Sequence, residues 1–429
     1  MTRFPIRKTK RITIAALALL STPFSLSALA AEPEDTLNFV LGTDVKYEDN
    51  LFRVDGNTDL GTASKHDIVH AYTAGIKLDK QYSLQRFQLE GTVSENKYQE
   101  NDFLDWTGFN YRAAWLWSLT PRITGRLLAS QNETLNNFGD FRRIDPTTNV
   151  TRDLRSIQTN ERREFTADIL LWGGWHIVGG ATQVESRNSV SFNEVGDFTQ
   201  DSGEFGGRYV FPSGTEITLV QREATGDYKG RVADNLRQLD TGYDQSETEA
   251  KLDWRVSGKS HITARIGYID REHDNFNERD YDGMTGLLAW RWTPTGKLLI
   301  NTALSRNLYS FQESNAVGFI GGVPITSANG YSYSYYVADT FTISPLWAIT
   351  DKTSVRFRYD WSDRDYRGDL DGSGLTRRDI VQSMTLTAEW QALRTLLVSA
   401  VARHEDRNSD REFYDYEADS IGISAELIF

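Results

Sequence analysis

Seven times in this chain an aromatic residue stands just before a short turn, at Trp117, Trp172, Phe211, Trp254, Trp292, Trp347 and Trp390. The turns themselves carry Gly, Pro, Ser or Asp, as in Gly173-Gly174, Pro212-Ser213-Gly214 and Thr293-Pro294-Thr295-Gly296, residues that supply tight-turn geometry. A spacing of roughly 40 to 55 residues makes them an internal repeat. Between turns the side chains alternate with a period of two, the signature of strands. Val355, Phe357, Tyr359 and Trp361 take one face while Arg356, Arg358 and Asp360 take the other. Likewise Ala250, Leu252, Trp254 and Val256 oppose Glu249, Lys251, Asp253 and Arg255. Charge on alternate mid-strand positions is costly in lipid and tolerated in a wet lumen. A soluble propeller or sandwich alternates too, but has no need of long loops on one side and tight turns on the other.

The two ends point the same way. Ile421, Ile423, Ala425, Leu427 and Phe429 share a face of the last strand, as expected where that strand closes a barrel against the first and meets lipid outside. At the other end, Arg3, Arg7, Lys8, Lys10 and Arg11 precede the apolar run Ile12 to Leu20, and Ala28-Leu29-Ala30 fits a cleavage rule. Residues 1–30 therefore read as a signal peptide and 31–429 as the barrel. Residues 12–20 are too few to span a membrane as a helix, which takes roughly 20.

Composition narrows the function classes. With no Cys there are no disulfides, thiolate metal sites or cysteine nucleophiles. The leader's five basic residues take the net charge from -13 to about -18 on removal, which argues against a nucleic-acid partner. A mean hydropathy of -0.50 suits a barrel in which only every second strand residue meets lipid.

Eight tight turns, the first at Lys80 to Ser83, plus the first and last strands give about eighteen strands, with sixteen as the alternative count. The expected fold is all-β: a transmembrane antiparallel up-and-down β-barrel with short periplasmic turns and long extracellular loops. The loops read as Asp49 to His66, Gln131 to Arg162, Arg187 to Gly203, Thr225 to Ser246, Arg271 to Asp282, Leu308 to Tyr331, Ser362 to Asp379 and Arg403 to Tyr414.

Catalytic, cofactor and metal residues are not expected. His66, His70, His176, His261, His273 and His404 form no nucleophile or zinc motif, and read as solvated or girdle side chains. Asp369-Leu370-Asp371-Gly372 lacks the closing Glu of a calcium loop. The informative surface is the lumen. Its candidate lining is Arg112, Arg126, Asp168, Arg208, Glu216, Lys251, Asp253, Arg255, Arg265, Arg291, Arg356, Arg358, Asp360 and Glu389, joined by Asp44, Glu204, Arg222, Glu249 and Arg403. Such charges either set a field across a pore or brace its wall.

The segment Asp35-Thr36-Leu37-Asn38-Phe39 through Tyr47-Glu48-Asp49-Asn50-Leu51-Phe52-Arg53, the aromatic-before-turn repeats and Ser332-Tyr333-Ser334-Tyr335-Tyr336 carry a resemblance. The chain resembles outer-membrane β-barrel proteins encoded in exopolysaccharide-biosynthesis operons, grouped as the β-barrel porin 2 family. That resemblance implies a Gram-negative outer-membrane channel serving exopolysaccharide export or display, with polysaccharide and periplasmic export components as partners. The barrel assembly machinery is the further partner expected, through the Phe429 strand. The alternatives are a diffusion porin for small solutes, signalled by an outer loop folded into the lumen with Gln131 to Arg162 the candidate, and a closed structural or adhesive barrel.

Overall fold

The computed structural model describes residues 36–429 except 57, 59, 141–154, 190–195, 234–239, 311–316, 321–322, 327–334, 368–376 and 411–413; of 310–334 no side chains are described. The leader, its cleavage point, Ser332 to Ser334 and the Asp369-Leu370-Asp371-Gly372 fragment lie outside the described residues.

The alternating segments become strands. The first six are β1 (Leu37–Glu48), β2 (Asp67–Tyr82), β3 (Gln85–Tyr98), β4 (Trp106–Thr120), β5 (Ile123–Leu135) and β6 (Ile157–Leu170). Next come β7 (Trp175–Asn188), β8 (Phe198–Val210), β9 (Glu216–Tyr228), β10 (Gly242–Ser257), β11 (Ser260–His273), β12 (Tyr281–Thr295) and β13 (Leu298–Ser310). A short hairpin, β14 (Val317–Ile320) and β15 (Val323–Thr326), stands apart from the main sheet. The series ends with β16 (Tyr335–Thr350), β17 (Thr353–Arg367), β18 (Arg377–Gln391), β19 (Leu396–Ser409) and β20 (Tyr416–Ile428).

Eighteen of these pair antiparallel with their neighbours in sequence, and β20 pairs with β1, so the sheet closes on itself without an edge. The seam is tight: the Phe39 and Phe429 backbones exchange hydrogen bonds of 2.7 and 3.0 Å, and their rings lie 6.0 Å apart. Tight turns join the strands at one end; at Gly173-Gly174 both residues have positive φ (56° and 89°), the backbone a two-residue hairpin demands.

One face of every strand is apolar and exposed, including Leu41, Val93, Phe109, Leu127, Phe205, Leu304, Leu386 and Ile423. Exposed aromatics ring its turn end, Trp172, Trp254, Trp347 and Trp390 among them. An apolar band flanked by aromatics on a closed barrel fits only a bilayer. The chain is a transmembrane β-barrel of the outer-membrane type.

The strands run farther toward the loops than the alternation of apolar residues suggests. The connection read as Gln131 to Arg162 begins only after Leu135 and ends before Ile157. Those read as Arg187 to Gly203 and Thr225 to Ser246 shrink to what lies between Asn188 and Phe198 and between Tyr228 and Gly242. The cause is the same throughout. Beyond the lipid both strand faces are polar, as at Glu185, Asp201, Asp227 and Asp244 on the outside, so the alternation vanishes while the ladder continues. The connection between Tyr98 and Trp106 was missed for the same reason.

Candidate functional site: a charged lumen crossed by a loop

The face opposite the exposed apolar residues is the lumen, and register places every predicted lining residue on it. Most are locked in ion pairs running around the wall. Arg126 pairs with Glu164, which also takes Arg162 at 2.6 Å. Asp168 binds Arg208 and, at 2.6 Å, His176, while Arg208 reaches Glu216 at 3.5 Å. Arg222 holds Glu204 at 2.7 Å and Glu247 at 2.6 Å. Glu249, only 2% exposed, lies 2.8 Å from Lys251, 3.3 Å from Arg265 and 3.6 Å from Arg222. Arg358 binds Asp360 at 2.5 Å, and Ser354 donates to Glu389 at 3.1 Å next to Arg356.

Four predicted arginines differ. Arg356, on the strand next to Glu389, and Arg112, exposed to the lumen, make no ion pair among the described residues. Arg255 and Arg291 flank His261 in one cross-strand row near the turn end, also without ion pairs among the described residues. His261 itself binds Asp253 at 2.8 Å. This corrects the reading of the histidines as solvated or girdle groups: His176 and His261 face the lumen in carboxylate pairs, and His273 is buried. Of the further lumen residues, Asp44 faces inward on β1 and Arg403 pairs with Glu405.

The loop end holds what the sequence did not reveal. Loops after β1, β3 and β5 build a small apolar core of Leu51, Phe52, Val54, Leu60, Leu104 and Phe138. Buried Asp67 fixes its base by accepting the backbone N–H groups of Gln99, Glu100 and Asn101 at 2.8, 3.1 and 2.9 Å. From this core the chain continues to Asp140, which meets inward-facing arginines of distant strands: Arg407 of β19 at 2.8 Å and Arg364 of β17 at 3.2 Å. Arg407 also donates to the Gly139 carbonyl at 2.9 Å. The start of the β5–β6 loop is thus a chord across the inside of the barrel.

Its receptor is a buried charge network. Arg407 pairs with Asp379, which takes Arg377 at 2.9 Å, and Arg377 lies 4.1 Å over the Tyr366 ring. Arg53 bridges to Glu405 at 3.2 Å, and Tyr416 donates to the same carboxylate at 2.5 Å. Burial alone would raise the Asp140 pKa, but Arg364, Arg407 and Arg377 outweigh it and hold the carboxyl well below the ordinary carboxylate range. Alternations such as Arg377-x-Asp379 and Arg403-x-Glu405-x-Arg407 carried a signal for these residues; the contact with Asp140, 267 residues from Arg407, carried none. Among the described residues no cluster of His, Cys, Asp or Glu forms a metal site.

No family model matches the chain, and no curated protein matches it. The exopolysaccharide-operon resemblance therefore gains no support. Solved structures with a similar fold include outer-membrane protein OpdK from Pseudomonas aeruginosa (13% identity, TM-score 0.47, covering 92% of this chain and 99% of that one). OccK2 (OpdF) from the same organism is 12% identical with a TM-score of 0.48, covering 92% and 98%. OccAB3 from Acinetobacter baumannii is 10% identical at 0.47, covering 92% and 99%. None of these likenesses bears on what this chain conducts.

Proposed function

We propose that this barrel is a passive diffusion channel for small hydrophilic solutes, its size limit set at the loop end by the chord Asn136–Asp140. A barrel of this strand number is too wide for side chains to fill and leaves an aqueous path. The observation that carries the reading is the anchoring of Asp140 by Arg364 and Arg407 across the interior. An infolded loop narrows a pore for small solutes and obstructs a long polymer. Most of the lumen's opposed charges are ion-paired, so they hold the wall rigid and leave, in the predicted lining, Arg112, Arg255, Arg291 and Arg356 as cations without an ion pair among the described residues. A channel lined with fixed charge selects by field as well as by size.

Swelling of proteoliposomes in graded sugars and amino acids tests this. The reading predicts rapid uptake of small solutes with a sharp fall as size increases. Uptake that ignores solute size, or oligosaccharides that enter as fast as monosaccharides, would favour a polymer exporter instead. Liposomes that do not swell would favour the closed structural barrel.

A further inference from the structure

Four inward-facing residues lie side by side near the turn end, one on each of four adjacent strands. Arg255 of β10 is the register partner of His261 on β11, His261 of Arg291 on β12, and Arg291 of Asn301 on β13. Lumen charges elsewhere are mostly paired with one another; these are not. Among the described residues the side chains of Arg255, Arg291 and Asn301 make no ion pair and no hydrogen bond. Both arginines are exposed, and Arg255 rests beside Gly214 of the neighbouring turn without a polar partner there. The carboxylate on the same wall, Asp253, is already held by His261 at 2.8 Å. One row farther from the turns the side chains become small: Thr263, Ala289 and Ala303 are register partners on β11, β12 and β13. They leave room above Arg291 for the body of a solute.

We infer that this row is a binding site for phosphate monoesters of small hydrophilic solutes. The inference rests on the diffusion-channel reading and names a substrate class for it. Arg255 and Arg291 are two strand spacings apart, about 10 Å at the backbone, a gap that two long side chains close onto one anion. Arg255 needs only a side-chain rotation to do so. Each guanidinium offers a planar fork that matches phosphate oxygens. A monoester brings three terminal oxygens and close to two charges, enough for both arginines and the Asn301 amide. A carboxylate is satisfied by a single fork and leaves the second arginine and the amide idle. The ester oxygen then points to the patch of Thr263, Ala289 and Ala303, over which the rest of the solute lies. An exposed site of this kind holds its anion weakly enough to release it, as a conducting path requires.

Titration calorimetry of the refolded mature barrel in detergent with glycerol 3-phosphate tests the assignment without requiring conduction. Saturable binding is expected, unaffected by an excess of acetate. It should weaken about tenfold in Arg291→Met and in Arg255→Met, the loss of one charge-assisted contact. Neither arginine has a partner to strand, so both variants should keep the heat-modifiable gel mobility of a folded barrel. Should either fail to fold, the acetate competition in wild type decides alone. Absence of saturable binding, equal affinity in the variants, displacement by acetate, or binding of inorganic phosphate without the ester would each overturn the assignment. Bilayer recording separates this site from the channel reading. A chloride current that glycerol 3-phosphate leaves untouched would count against the site and spare the channel; saturable binding by a barrel that passes no current would uphold the site and remove the channel.

Discussion

Replacing Asp140 by Asn removes a charge, keeps the side-chain size and isolates the chord's anchor. In the wild type its carboxylate lies 2.8 Å from Arg407 Nη1 and 3.2 Å from Arg364 Nη1. Breaking a buried pair from one side costs about 3–5 kcal/mol. Here the lower end applies, because the Asp140 side chain is 21% exposed and Arg407 keeps Asp379 as a partner. A loss of about 3 kcal/mol shifts the docked–released equilibrium of the chord roughly 100-fold toward release. Phe138 still packs on Phe52, with ring centroids 4.9 Å apart, so release is confined to the tip. Absence of native Cys allows clean labelling. Spin labels at Asn137→Cys and Met384→Cys should give a narrow distance distribution in wild type and a broad one in Asp140→Asn, with the barrel's thermal transition unmoved. An unchanged narrow distribution in the variant would refute the anchoring argument.

Four other outcomes follow from the same structure. Because the Asp140 carboxyl is depressed when docked, its stabilisation is complete above the ordinary carboxylate pKa and is lost as pH falls through the depressed value. The label distance should therefore hold from neutral pH to about pH 4 and widen only below it. On β20, Ile423→Arg puts a charge into lipid and should cost about 2–4 kcal/mol in urea titration of folding into vesicles, whereas Ser424→Arg, one residue on and facing the lumen, should cost little. In the lumen, Arg222→Met strands buried Glu247, whose ion pair is with Arg222, and should destabilise the barrel by about 3 kcal/mol. Arg112→Met should leave stability unchanged and lower the anion-to-cation permeability ratio, read as a shift in reversal potential under a salt gradient.

The wall was legible because lipid enforces a strict period of two. Once Phe357 and Trp361 are assigned outward, Arg356 and Arg358 must point inward, and the same logic placed Lys251 and Arg265. Where lipid ends, that constraint ends too, so strand tips such as Arg403 to Arg407 read as loop although they pair in register. The chord was illegible for another reason. Gln131 to Arg162 was the right stretch to suspect, but nothing local distinguishes an Asp that meets solvent from one that meets Arg364 across the barrel.

The central claim is that water and small solutes pass through the lumen. Single-channel recording of the refolded mature barrel in a planar bilayer tests it most directly. The account predicts discrete, stable, ohmic steps in salt solution, with larger or noisier steps in Asp140→Asn. A barrel that is folded and inserted by independent criteria, yet passes no current at any voltage, would contradict it.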